Sequence, residues 1–432
     1  MVRKKSAENF IAVHADWYPG RAPFLLGRLY SHAAAGRETF SFEFSEEAVS
    51  QPELLAYTLD PHLGLYKGAQ FCPPGQPNFG LFQDASPDRW GRTLLKRRFE
   101  RRQARGEVAP NARLVESDYL LGVHDSFRIG GLRFRLNDEG PFLDDDHDQA
   151  APPFVRLREL EAASLALEKG EDSPYVDDWL KMLVAPGGSL GGARPKASVV
   201  DTDGSLWIAK FPSKNDTRDM GAWELVALTL AKACGLQVPD AHTKVYGSNR
   251  HTLLVRRFDR TEANSRLHFA SAMTMTGHKD GEDESTGVSY MEIAQVLIQS
   301  GANVEADLRE LWSRIVFNML IANTDDHLRN HGFLLDPNAG WHLSPAYDLN
   351  PIPDGGVGLK LNVNGARNDL DLNLALEVAP YYRLDPAEAA TIVDNFKDVT
   401  SQWRTLAREL ALSRREIEDM AYAFRLADAA TH

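Results

Sequence analysis

The chain has 432 residues, 43% of them apolar and 25% charged, a balance that builds packed cores and excludes a disordered or collagen-like polymer. Its 48 basic side chains against 61 acidic ones leave a net charge of -13, which also excludes a general nucleic-acid coat. No apolar run reaches the roughly 18 residues of a membrane span, and the basic start Met1 to Lys5 leads into no signal-peptide core. A cytoplasmic protein without membrane contact is expected. Cys72 and Cys234 stand far apart with no metal-ligand spacing, so neither a disulfide scaffold nor a zinc finger is present.

At about 150 residues per domain the length suggests two or three domains. Phe24 to Tyr30 and the alternating Phe40, Phe42 and Phe44 predict strands flanking an Ala-Ala-Gly-Arg turn. Ser86-Pro87-Asp88 predicts a helix start with Ser86 as cap and Pro87 as first helical residue. That helix carries eight basic residues between Arg89 and Arg105, read either as a solvated, ion-paired face or as a docking surface. The acidic run to Asp148 and the following Ala-Pro-Pro mark a linker.

Helical patterns at 157–167 and 179–184 precede the densest glycine segment, 186–196. Strands are then predicted at 197–200 and 206–211, a helix from Met220 to Ala233 ending near Gly235, and a strand at 252–255. Apolar residues at 308, 311, 315, 316, 319 and 320 define a helix over 308–322 that delivers the chain into a loop, 323–330. A strand at 332–335, a turn and a second strand lead to Asp348, and helices follow 385. The fold class expected is α+β, divided into an N-terminal β-rich module (1–140), a glycine-containing lobe (150–262) and a helical lobe (263–432).

The informative constellation is Asp325, Asn330 and Asp348. Phosphoryl transfer needs a carboxylate near the attacking hydroxyl and oxygen ligands that hold magnesium on the phosphates. Asp-x4-Asn followed by an Asp beyond a hairpin supplies both, and two acids with one carboxamide make a half-shell for magnesium. Lys210 on a strand and Glu224 on the next helix suit a phosphate-binding lysine and its orienting acid. The glycines at 187–192 allow backbone amides to approach phosphates, although they form neither GxGxxG nor a Walker loop.

In this order, Ser189-Leu-Gly-Gly-Ala-Arg-Pro-Lys196, Ile208 to Pro212, Gly235 to Asp240, Val255 to Arg260, Thr324 to Asn330 and Tyr347-Asp348 resemble the HipA family of bacterial serine/threonine kinases, toxins of HipBA-type modules. The resemblance implies a two-lobed, protein-kinase-like fold with ATP and Mg2+ as cofactors. It makes Asp325 the catalytic aspartate, His327 its loop support, and Asn330 and Asp348 the metal ligands. Gly191, Gly192, Ala193, Lys196, Lys210 and Glu224 would then serve the ATP phosphates. Val255, Arg256 and Phe258 would form the adenine hinge, with Ser189 autophosphorylated. It further implies a HipB-like DNA-binding antitoxin, operator DNA reached through that antitoxin, and a protein substrate, the family's best known being an aminoacyl-tRNA synthetase. Four positions depart from the family pattern: Asp326 stands in place of a glycine, Arg194-Pro195 in place of Gln-Glu, and Arg256 in place of a hinge acid. The alternatives are a non-catalytic antitoxin-binding corepressor, a small-molecule kinase, and a metal-dependent hydrolase using Asp325, Asp326, His327 and His331.

Overall fold

A computed structural model describes residues 10–34, 37–145, 152–171, 173–184, 192–354, 356 and 358–429. Contacts divide the chain into two compact units, Met1–Lys214 with Asp259–Ala270, and Asn215–Phe258 with Ser271–His432.

The first unit opens with an antiparallel sheet of β1 (Phe10–Ala15), β2 (Phe24–Ala34), β3 (Arg37–Phe44), β4 (Gln70–Phe71) and β5 (Leu132–Arg135), in the order β4-β3-β2-β1-β5. Period-two alternation buries Phe40, Phe42 and Phe44 of β3 on one face, where Phe82 and Phe134 complete the core. The turn between β2 and β3 falls partly outside the described residues.

Short helices α1 (Glu46–Val49) and α2 (Gly80–Asp84) precede α3 (Arg89–Ala104) and α4 (Glu116–Leu121). Four segments, before α3, at the end of α4, just after it and beyond β5, are gathered by Arg128, fully buried, whose guanidinium donates to the carbonyls of Ala85, Leu120, Val123 and Leu143 at 2.7 to 3.0 Å. Four acceptors around one cation satisfy groups that would otherwise be buried unpaired.

The start of α3 corrects the predicted cap. Asp88, not Ser86, caps the helix by accepting the Gly91 N–H at 2.8 Å. Pro87 lies outside the helix, and the Ser86 hydroxyl donates to the Phe82 carbonyl. A carboxylate at the positive end of a helix dipole outcompetes a hydroxyl two residues earlier.

The basic stripe of α3 is largely engaged within the unit. After α4 come α5 (Leu157–Lys169) and α6 (Val176–Val184), and α3 packs on α6. Arg101 and Arg105 each reach Asp177 at 2.7 Å, Arg92 forms a bidentate pair with Glu116, and Arg97 donates to the Leu167 carbonyl. Of the two readings of the stripe, these contacts favour the ion-paired face. The unit also holds the antiparallel hairpin of β6 (Lys196–Val200) and β7 (Leu206–Lys210) and the segment Asp259–Ala270.

In the second unit α7 (Met220–Ala233) packs on β9 (His251–Arg256), which pairs antiparallel with β8 (Ala241–Val245). Strand β8 was not predicted, because a half-exposed edge such as Ala-His-Thr-Lys-Val carries no apolar alternation. After β10 (His268–Ser271), of which only Ser271 belongs to this unit, come α8 (Ala272–Thr276), α9 (Tyr290–Ser300) and α10 (Val304–Leu320). Helix α10 begins four residues before the predicted Leu308, with Asn303 at its cap position and the acids Glu305 and Asp307 in its first turn.

Nearly every residue of α10 from Leu311 onward is buried, and the Trp312 indole donates to the Ala375 carbonyl at 2.8 Å. The hairpin β11 (Gly332–Asp336) and β12 (Gly340–Leu343) follows. Helices α11 (Leu372–Val378), α12 (Pro386–Thr400), α13 (Trp403–Glu409), α14 (Arg414–Met420) and α15 (Arg425–Asp428) complete the unit, with Trp403 stacked on Phe424 at 4.4 Å. The α+β class read from the sequence is the class observed. No helix among the described residues is long and apolar enough to cross a membrane.

Candidate active site

Helix α10 ends at Leu320, and Ala322 turns the chain with a left-handed φ of 47°. The polar stretch Asn323 to His331 then runs to β11 through a single 3-10 turn at Leu328–Asn330. Asp325 projects to solvent, while Asp326 beside it is 2% exposed. Adjacent acids thus have opposite environments. The Asn330 amide donates to the His327 carbonyl at 2.8 Å, and its carboxamide Nδ2 donates to the Asp325 carbonyl at 3.2 Å. His327 is half-buried at the start of the turn, and its Nδ1 finds no partner among the described residues.

Asp326 Oδ2 accepts from the Tyr290 hydroxyl at 2.6 Å, Asn318 Nδ2 at 2.8 Å and His331 Nε2 at 2.8 Å. Burial alone would raise the Asp326 carboxyl, but the charge and hydrogen bond of His331 and the Tyr290 hydroxyl outweigh it and hold it below the usual carboxylate range. Burial, then the Asp326 charge, pushes the Tyr290 hydroxyl well above its ordinary value, so it stays a donor.

Asp348 adopts φ 59°, left-handed backbone that non-glycine residues seldom occupy. The surroundings hold it there. The Tyr347 hydroxyl donates to the Arg329 carbonyl at 2.8 Å, the Ala346 amide to the Gln237 carbonyl at 2.7 Å, and the Ile352 amide to the Ala322 carbonyl at 3.2 Å. The segment bearing Asp348 is therefore tied to both ends of the Asp325 loop. Asp348 Oδ1 accepts from Asn350 at 3.3 Å.

Glu224 is buried on α7 at 5% exposure, and Val255 and Arg256 end β9, where the Arg256 amide donates to the Asp240 carbonyl at 2.8 Å. The Phe258 ring lies 5.5 Å from that of Tyr347, on the segment that leads to Asp348. Lys360 joins the electrostatics of this unit. Its hydrogen bond to Asp283, with the charges of Glu284 and Asp325 behind it, raises the ammonium above its ordinary value.

In the first unit, Lys196 and Lys210 are opposed across the β6–β7 hairpin, so their side chains leave the same face. Lys196 is 4% exposed and pairs with Asp88 at 3.0 Å, while Lys210 is half-buried. Gly192 has φ 95°, and a Cβ there would stand 2.9 Å from Lys196 Nζ. The positive φ favours glycine at this position, four residues before that lysine. Ala193 is exposed. Ser189 and Gly191 lie outside the described residues.

Two oxygen donors fit magnesium. With its Nδ2 bound to the loop, the Asn330 carboxamide would offer Oδ1 to such an ion and Asp348 its carboxylate, a set that would leave the remaining positions to phosphate and water. Among the described residues no group of three or more His, Cys, Asp or Glu is arranged to hold a metal by itself. The residues the sequence did not point to are Tyr290, Asn318 and Lys360. The available signal was Asp326 itself, an acid where the resemblance expects glycine.

The HipA-like C-terminal domain family model matches residues 188–424. A Haemophilus influenzae protein named "Putative kinase" is 29% identical over 188 residues, 39% of this chain and 54% of that protein. "Putative kinase Y4dM" of Sinorhizobium fredii is 27% identical over 216 residues, 44% of this chain and 51% of that protein. The chain spans about half the length of these curated relatives. The solved Shewanella oneidensis complex of HipA, HipB and operator DNA contains a chain with the same fold, at a TM-score of 0.64 and 16% identity over 96% of this chain and 95% of that one. That likeness carries the α+β fold across nearly the whole chain, and the matched family model shows that the chain belongs to the HipA-like C-terminal domain family.

Proposed function

We propose that the chain is a protein serine/threonine kinase that uses ATP and magnesium and acts in the cytoplasm as the toxin of a type II toxin–antitoxin module. The observation that carries this reading is the pairing of an exposed Asp325 with a strained Asp348, on two segments hydrogen-bonded to each other. Strained backbone at a carboxylate is kept where chemistry requires the side chain in one place.

Asp325 orients the acceptor hydroxyl and takes its proton as the hydroxyl oxygen bonds to the γ-phosphorus and ADP leaves. Asn330 and Asp348 would hold magnesium, which when bound neutralises the β- and γ-phosphates. We assign Lys210 and Glu224 to the phosphates, together with the backbone of Gly191, Gly192 and Ala193, while Lys196 is held by Asp88. Val255, Arg256 and Phe258 cradle the adenine. Ser189 is the autophosphorylation site, where a phosphate of about -2 charge would compete with ATP for the same amides. The partners proposed are a HipB-like antitoxin, operator DNA through it, and a cellular protein substrate of the aminoacyl-tRNA synthetase class.

The test is incubation of phosphatase-treated protein with Mg-ATP, with and without Asp325→Asn, and mapping of phosphate by mass spectrometry. Phosphate on Ser189 in the wild type alone is expected. Failure of both proteins to bind nucleotide or transfer phosphate would overturn the reading.

A further inference from the structure

We infer that Asp326 is a positioning residue for phosphoryl transfer, a buried anion that closes the loop bearing Asp325 and Asn330 into a fixed ring through Tyr290, Asn318 and His331. The inference rests on the kinase reading for its consequence, and on geometry alone for the ring itself.

One carboxylate oxygen, Oδ2, receives all three donors, at 2.6 to 2.8 Å. The donors come from separate elements. Tyr290 is the first residue of α9, Asn318 lies in the last turn of α10, and His331 ends the loop at the edge of β11. Asn318 Oδ1 in turn accepts from Asn323 Nδ2 at 3.1 Å, which brings the start of the loop into the same network. Residues 323, 326 and 331, the beginning, middle and end of the loop, are thereby fastened to one polar cluster in the interior.

Between those fastenings only Asp325 is exposed, while Asn330 is turned inward onto the Asp325 carbonyl. A loop whose regular structure is a single 3-10 turn has no ladder to hold the rest of its conformation, so much of its order comes from such side-chain ties. A buried carboxylate is tolerated only with its lone pairs satisfied, so each donor lost loosens the arrangement further. Glycine, which the family pattern has at this position, offers no atom for the ring. This chain has replaced backbone freedom there with an anchor.

The experiment compares wild type, Asp326→Asn, Asp326→Gly and Tyr290→Phe by thermal unfolding, Mg-ATP affinity, kcat and KM for phosphotransfer, and amide hydrogen exchange of residues 324–331. Misplacing a reacting group by an ångström costs about 100-fold in rate, so kcat of Asp326→Asn is expected to fall by about that factor while KM for ATP stays within about threefold. Exchange over 324–331 should quicken by about tenfold or more, with α10 unchanged. Tyr290→Phe, which removes one donor of three, should show the same pattern at smaller amplitude, and it decides the matter if the Asp326 variants do not fold.

Wild-type kcat and wild-type loop exchange in Asp326→Asn and Tyr290→Phe overturn the inference. So does a loss of kcat matched by equal loss of ATP affinity and global melting. If the wild type transfers no phosphate, the kinase reading fails on its own. The exchange arm then still supports the ring if the loop quickens, and overturns it if the loop does not.

Discussion

Lys196 and Asp88 form an ion pair that is almost wholly buried, with Nζ 3.0 Å from Oδ2 and side chains 5% and 1% exposed. One partner opens β6 immediately after the glycine segment, and the other caps α3 through the Gly91 amide. The Trp90 indole adds a bond to the Lys196 carbonyl at 3.1 Å. The base of the glycine segment is thus anchored to the start of the basic helix.

Removing one member strands a charge in the interior. Asp88→Ala should destabilise the protein by about 3–5 kcal/mol for the broken pair, with about 1 kcal/mol more for the lost cap. The double variant Asp88→Leu with Lys196→Met should recover most of the pair's contribution, because two apolar groups need no partners. Urea unfolding of the two single variants and the double variant measures the difference; equal losses in all three would contradict it.

Strain at Asp348 separates stability from activity. Asp348→Gly relieves the left-handed backbone and should raise stability by about 1 kcal/mol relative to Asp348→Ala. Both substitutions remove the carboxylate and should abolish magnesium-dependent transfer. Melting temperatures beside turnover would show two variants that are equally inactive and differently stable.

His278 gives the second unit a pH response. Burial lowers its pKa, but hydrogen bonds to Glu292 at 2.6 Å and Glu282 at 2.8 Å raise it more, so the net shift is upward. A raised folded-state value means the contribution is complete below about pH 6.5, the ordinary histidine value, and is lost as pH rises through the folded value. Glu292 stands in the first turn of α9, the helix that begins with Tyr290. His278→Gln should flatten stability across that window, as followed by chemical unfolding from pH 5.5 to 8.5.

The stripe on α3 makes a contrasting prediction. The Arg101 hydrogen bond, aided by Arg105, lowers the Asp177 carboxyl to about 2. Its stabilisation is present above about pH 4 and is lost as pH falls through that value. The pair is a third exposed, so Arg101→Glu should cost only about 0.5–1 kcal/mol at low salt and less at high salt. Should operator binding through an antitoxin weaken with Arg101→Glu while stability stays constant, the stripe would be a docking surface after all.

Much of this protein could be read from local chemistry. The alternation of Phe40, Phe42 and Phe44, the 3.6-residue face of α10 and the order of Asp325, Asn330 and Asp348 depend on neighbours in sequence, and the observed elements follow them. Other features are decided by residues distant along the chain. Asp325 and Asp326 are chemically identical, and only the donors at 290, 318 and 331 bury one while the other faces solvent. Lys196 carries the same charge as Lys210 on the same hairpin face, and it is Asp88, over one hundred residues away, that engages it. The arginines of α3 read alike as a free surface or a paired one until Glu116, Leu167 and Asp177 are placed beside them. Sequence determined which groups can do chemistry, because residue type and spacing specify donors, acceptors and periodicity. Tertiary structure decided which of them are spent on holding the fold, because burial and partners are properties of the folded chain alone.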